Sequence, residues 1–94
     1  MIWCRKYFAR YAETCFSAFG DRVKCWITLN EPQVVSCCGH GTGIHAPGRS
    51  SDRSLSSVGN SQTEPYIVAH NELLAHAAAV KIYNTKFKVY TYQS

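Results

Sequence analysis

Three groups of residues in the 94-residue chain have types and spacing that could do chemistry. The first is Asn30-Glu31-Pro32, which closes the apolar, β-prone run Ile27-Thr28-Leu29. A carboxylate fixed at the end of a buried strand and walled by the following loop is placed for general acid–base work. The Asn30 amide offers both a donor and an acceptor, a combination suited to a sugar hydroxyl. The same three residues also read as a turn with a solvated carboxylate, and spacing alone leaves both readings open. The second group is Cys37, Cys38, His40 and His45. These are metal-type ligands, but their spacing fits no zinc knuckle or ribbon, and loop residues near a site mouth are the alternative. The third is Cys25 beside Trp26. A nucleophilic thiol needs a base, none is identifiable, and Cys25 reads as a buried core residue. His70 and His76 lie six residues apart and so do not share a helical face as an i, i+4 pair would; they read as packing or capping groups.

The elements that must position these groups follow from periodicity. Phe8, Tyr11, Ala12, Cys15, Phe16 and Phe19 fall on one helical face, which predicts a helix over residues 3–19. Gly20 is expected to close it at positive φ, with Asp21 turning the chain. Residues 23–30, VKCWITLN, predict a strand covered on both faces, as in a parallel sheet. Pro32 lacks the N–H of a ladder and biases Glu31 towards an extended conformation, so the strand should end there. Residues 33–62 are rich in Gly, Ser, Pro and Cys and predict one long loop, far beyond the usual connection of about 2–6 residues in α/β units and therefore a functional candidate. Thr63 as N-cap, Glu64 and Pro65 predict the start of a second helix, with Ile67, Val68, Leu74, Ala75, Ala78, Ala79 and Ile82 on its apolar face. The tail TKFKVYTYQS reads either as helix end or as short strand. Helix, buried strand, long loop, helix is a slice of α/β structure, and its one parallel-type strand needs partners from elsewhere.

Composition narrows the function classes. With 46% hydrophobic, 13% aromatic and 17% charged residues, the chain carries material for a buried core, as one small domain or a piece of a larger one. A net charge of +4 invites a nucleic-acid reading, but the cations are scattered along the chain and no recognition motif accompanies them. No run of about 18 apolar residues occurs. The opening MIWCRKYFARYAE is charged where a secretory signal needs its apolar centre, so neither a signal peptide nor a membrane span is expected in the chain as written. Five cysteines cannot all pair within one molecule, and adjacent Cys37 and Cys38 are poor partners, so cysteine usage leaves the redox compartment open.

The stretch FGDRVKCWITLNEP, followed by GIHAPGR and GNSQTEPYIVAHNELLAHAAAVKIY, resembles glycoside hydrolase family 1, the β-glucosidase family, over residues 8–88. The resemblance implies a (β/α)8 TIM barrel, of which residues 1–94 would be a partial segment and 33–62 a loop on the active-site side. It implies hydrolysis of terminal β-D-glucosyl residues of O-glycosides by a retaining double displacement, with Glu31 as proton donor and then general base. Asn30 would hydrogen-bond the sugar 2-hydroxyl. Retention needs two carboxyl groups about 5–5.5 Å apart. The family's nucleophile lies in a Glu-Asn-Gly motif that these residues do not contain, and its early glutamine and histidine and late tryptophans are also absent. A barrel takes roughly 200–250 residues, so about one and a half of its eight β/α units are expected here, inactive alone.

Plant-type members carry a disulfide after APGR, where Ser50 and approximately Ser56 now stand, and a tyrosine where His40 stands; the loop should therefore be looser than in its relatives. The resemblance implies a β-glucoside as substrate, no cofactor, no metal, no nucleic acid and no membrane, with self-association through exposed barrel surfaces. The parent family is often secreted or vacuolar, and the sequence leaves the compartment open. Two other readings remain: an interaction fragment or pseudoenzyme binding a full-length relative, and a small metal-binding domain built on the Cys/His loop.

Overall fold

The computed structural model describes residues 2–88, with side chains from Arg5 onward. It contains helices α1 (Ile2–Phe19), α2 (Pro32–His40) and α3 (Glu64–Ile82), the last running into a π-helical turn, Tyr83–Phe87. The chain divides into two units, Met1–Leu29 with Leu73–Ser94, and Asn30–Glu72.

In the first unit, α1 buries Ala12 and Phe16 and half-buries Phe8 and Cys15, while Tyr11 and Phe19 of the predicted face stay exposed. Against this stripe α3 sets Ala79, fully buried at 0% exposure. Trp26, Ile82, Tyr83 and Phe87 pack around the cluster. Phe16 is its hub, with ring centroids 4.9 Å from Trp26, 5.4 Å from Tyr83 and 5.5 Å from Phe87. The edge-to-face and tilted arrangements are those aromatic quadrupoles favour. The π turn settles the start of the ambiguous tail as helical; Thr85 Oγ1 donates to the Lys81 carbonyl at 2.8 Å, and residues 89–94 lie outside those described.

Gly20 ends α1 as expected but for another reason. It is not among the residues at positive φ; its N–H bonds the Phe16 carbonyl at 2.9 Å, and a Cβ there would lie 2.3 Å from that oxygen. Arg22 Nη2 covers the Ala18 carbonyl at 2.8 Å.

The predicted strand over 23–30 does not form: no strand exists among the described residues. A parallel ladder is made between strands, and with no second strand present the run has no partner for its backbone groups. Trp26 still finds Phe16, but Ile27 is 89% exposed and Cys25, expected in the core, is exposed.

In the second unit the expected loop 33–62 is broken by α2 over its first eight residues. Pro32, read as a strand stop, is a helix start: its fixed φ and missing N–H suit the first helical position. Val34 and Val35 donate to the Glu31 carbonyl at 3.0 and 3.2 Å. The rest is irregular but internally bonded. Arg49 grips Glu64 with two N–H donors, at 2.5 and 3.1 Å. Ser51 N–H donates to Ser61 Oγ at 2.8 Å and Ser61 N–H to Ser51 Oγ at 2.7 Å, a reciprocal clasp. Ser61 Oγ donates to the Gly41 carbonyl at 2.7 Å, and Arg53 donates to the Ser50 and Gly59 carbonyls at 2.6 and 2.9 Å. Ser50 is buried and its Oγ accepts from Asp52 N–H at 3.2 Å. Gly59, at φ 128°, lets the Ser50 amide approach to 2.5 Å of where a Cβ would stand.

Candidate active site

Glu31 stands at the corner that opens α2, with φ 47° and ψ 58°, the left-handed region. The extended conformation expected from the following proline is therefore not adopted. The helix that begins at Pro32 needs a sharp change of chain direction just before it, and Glu31 supplies that change. For a residue with a Cβ this conformation costs on the order of 1–2 kcal/mol, and such strain collects at functional positions. Asn30 precedes it, and both side chains are exposed.

The acidic side chains separate by environment. In the first unit Glu13 pairs with Lys86 at 2.6 Å and Asp21 with Arg22 at 3.3 Å. In the second, Glu64 is held below the ordinary glutamate range chiefly by its hydrogen bonds from Arg49, against partial desolvation, with help from the Arg49 charge, the Asn60 N–H and the His40 charge. Asp52 is lowered by the hydroxyl and N–H of Ser54, both donating to one carboxylate oxygen. Glu72 lies on α3 four residues after buried Val68; burial pushes it above the ordinary range, opposed by the charge of His40. Of the chain's six acidic residues, Glu31 alone is exposed with a carboxylate that makes no hydrogen bond or ion pair among the described residues. A carboxylate without a local partner is available to an incoming group, whether as proton donor or as base.

Cys37, Cys38, His40 and His45 do not gather; among the described residues no group of three or more His, Cys, Asp or Glu could hold a metal ion. His40 Nδ1 instead lies 3.2 Å from the Val35 carbonyl within α2. Cys15, Cys25, Cys37 and Cys38 are free thiols. No helix among the described residues is long and apolar enough to cross a membrane. His70 is exposed, but His76, read as a packing or capping group, has a specific partner: its Nδ1 lies 2.5 Å from Thr28 Oγ1. Nothing in the local sequence signals that pairing, because the two residues are 48 positions apart. The start of α2 did carry a signal, proline at a first helical position.

The sequence profile of Glycosyl hydrolase family 1 matches residues 4–92. Beta-glucosidase 1B of Phanerodontia chrysosporium is 58% identical over 81 residues, a span of 86% of this chain and 15% of that protein. Beta-glucosidase 6 of Oryza sativa subsp. japonica is 60% identical over 83 residues, 86% of this chain and 16% of that one. A solved structure of a rice β-glucosidase variant in a covalent complex with Glc superposes with a TM-score of 0.88 at 56% identity, covering 90% of this chain and 18% of that chain. The chain thus spans less than a fifth of the length of the relatives it matches.

Proposed function

Because the chain belongs to glycosyl hydrolase family 1, we propose that its 94 residues are the acid/base segment of a retaining β-glucosidase barrel. In this reading Glu31 protonates the glycosidic oxygen as the aglycone leaves, then takes the proton of the water that releases the sugar. Asn30 hydrogen-bonds the sugar 2-hydroxyl, a contact that strengthens as positive charge develops at the reacting carbon. The substrate class is terminal β-D-glucosides with an O-linked aglycone. The observation that carries the reading is Glu31 itself, the one exposed and uncommitted carboxylate, held in a strained backbone at the helix-opening corner. A rice relative captured in a covalent complex with Glc supports a double displacement. No Glu-Asn-Gly sequence occurs in these residues, so the nucleophilic carboxylate must be supplied by sequence outside them.

Exchange of residues 4–92 for the matching segment of a full-length rice β-glucosidase tests this. The exchanged enzyme should hydrolyse aryl β-glucosides, and the 94-residue chain alone should not. Glu31→Gln should lower kcat/KM on glucosides with poor leaving groups by about 10²–10⁴-fold while sparing kcat/KM on activated aryl glucosides, whose kcat still falls because release of the sugar loses its base. Equal loss of kcat/KM on both substrates would remove Glu31 from the proton-donor role, and turnover by the 94-residue chain alone would overturn the need for an outside nucleophile.

A second reading is favoured by exposed apolar side chains on each unit, Tyr11, Ile27 and Leu73 on the first and Ile44 and Tyr66 on the second. Such residues suit association with a full-length relative or with a second copy. Failure to co-elute with that relative, and a monomeric mass alone, would dismiss it.

A further inference from the structure

Helix α2 has Glu31 at its opening corner and a close backbone approach at its last turn. Its buried residues are Ser36 and Gly39, three positions apart and therefore on one face. At Gly39 that face lies so near the segment Ala46-Pro47 that a Cβ would stand 2.7 Å from the Ala46 carbonyl oxygen and 3.1 Å from Pro47 Cδ. The same segment is tied to the same turn. His45 N–H donates to the Cys38 carbonyl at 3.1 Å and Arg49 N–H to the Gly39 carbonyl at 2.8 Å. Arg49 is braced in turn by its two bonds to Glu64. At the other end of the helix the Val34 and Val35 N–H groups hold the Glu31 carbonyl. All of these contacts lie within the unit Asn30–Glu72.

We propose that Gly39 is a positioning residue for Glu31, acting through α2; this rests on the assignment of Glu31 as proton donor. An α-helix rises about 1.5 Å per residue, so the stretch from Gly39 back to Glu31 is about 12 Å of hydrogen-bonded backbone, and a displacement at one end is carried to the other. Without a side chain at Gly39, α2 sits directly on residues 46–47, and the depth of that seat sets where its opening corner comes to rest. A methyl group there is not absorbed by a side-chain rotation, because the obstacle is the carbonyl oxygen of a braced segment; α2 must tilt or rise. A proton donor acts only within hydrogen-bond reach of the oxygen it protonates, so a small shift at Glu31 costs acid catalysis before it costs binding. Helix propensity runs the other way, since alanine is favoured over glycine inside a helix, and the close approach is what gives glycine its advantage at this position.

The test uses the segment-exchange enzyme with an activated aryl β-glucoside and an alkyl β-glucoside. Gly39→Ala should lower kcat/KM on the alkyl glucoside about tenfold or more and change kcat/KM on the aryl glucoside less than threefold. On the aryl glucoside kcat should fall, because the water that releases the sugar loses its base, and added azide, a nucleophile that needs no base, should restore it. Arg49→Lys, which loosens the brace behind residues 46–47 and keeps the charge, should give the same split in smaller measure and decides the matter if Gly39→Ala does not fold. Gly20→Ala is the comparison in the other unit, where a Cβ would lie 2.3 Å from the Phe16 carbonyl oxygen; it should lower the denaturation midpoint and leave the alkyl-to-aryl ratio of kcat/KM unchanged. Equal losses on the two substrates, no rescue by azide, or the same split in Gly20→Ala would reduce Gly39 to a stabilising contact and overturn the proposal. If Glu31→Gln itself fails to separate the two substrates, the proton-donor assignment fails first; if it separates them and Gly39→Ala and Arg49→Lys do not, the positioning role alone fails.

Discussion

Around Phe16 three aromatic rings lie within 5.5 Å and carry the packing of the first unit, whereas around Ser50 and Ser61 the second unit is joined by hydroxyl, guanidinium and backbone hydrogen bonds. Val68 is the buried apolar side chain of the second unit among the described residues; its other buried side chains are Ser36 and Ser50. Dispersion and apolar burial tolerate small rotations and are indifferent to pH. Hydrogen-bonded loops depend instead on particular backbone positions and on the charge state of their carboxylates. The candidate acid/base residue opens the unit of the second kind, where geometry is set by directional bonds.

The largest expected effect breaks the packed unit. Phe16→Ala removes a side chain only 5% exposed, together with three ring contacts, and should cost about 3–5 kcal/mol, read as a lower denaturation midpoint. A loss under about 1 kcal/mol would mean that the ring cluster does not carry that unit. Next comes the bonded unit. Gly59→Ala puts a Cβ 2.5 Å from the Ser50 amide at φ 128° and should cost about 1–3 kcal/mol, with faster amide exchange at Ser50 and Ser61. Unchanged exchange there would show that the hydroxyl network does not depend on that close approach.

A smaller effect of opposite sign is expected at Glu31. Glycine removes the left-handed penalty of about 1–2 kcal/mol and adds about 0.5–1 kcal/mol of unfolded-chain entropy. Glu31→Gly should therefore stabilise by about 1 kcal/mol while removing the carboxylate proposed as proton donor; a destabilised variant would contradict the strain at φ 47°.

The smallest effects are pH slopes of opposite sign within one unit. Glu64 is depressed by Arg49, so its contribution is full above the ordinary glutamate range and is lost as pH falls through its folded value. Glu72 is raised by burial, so its contribution is full below that range and lost as pH rises through its folded value. Glu64→Gln should flatten the acid limb of the stability–pH curve, and Glu72→Gln should raise stability at neutral pH. Curves unchanged by either substitution would separate these carboxylates from folding.

Helix positions were legible where the signal is local. The Phe8–Ala12–Phe16 spacing and the Thr63-Glu64-Pro65 start place α1 and α3 to within a residue or two. The start of α2 was half legible: Pro32 marks a boundary, but a proline that ends a strand and one that begins a helix look alike in sequence, and Val34, Val35 and Gly39 are weak helix formers. The buried strand was misread because an apolar, β-branched run states a preference for pairing, while pairing itself requires a second strand. Exposure of Cys25 and Ile27 follows from the same absence of a partner among the described residues.

By itself the sequence determined the family, through Asn30-Glu31-Pro32 and two further blocks in order, and it determined the apolar stripes of the two long helices, because these depend on residues a few positions apart. Tertiary structure alone decided the left-handed turn at Glu31, the Arg49–Glu64 grip and the Thr28–His76 bond. The grip and the bond join groups 15 and 48 residues apart, and the turn answers to the helix that follows it; such geometry is fixed when the chain folds back on itself, and no local propensity encodes it.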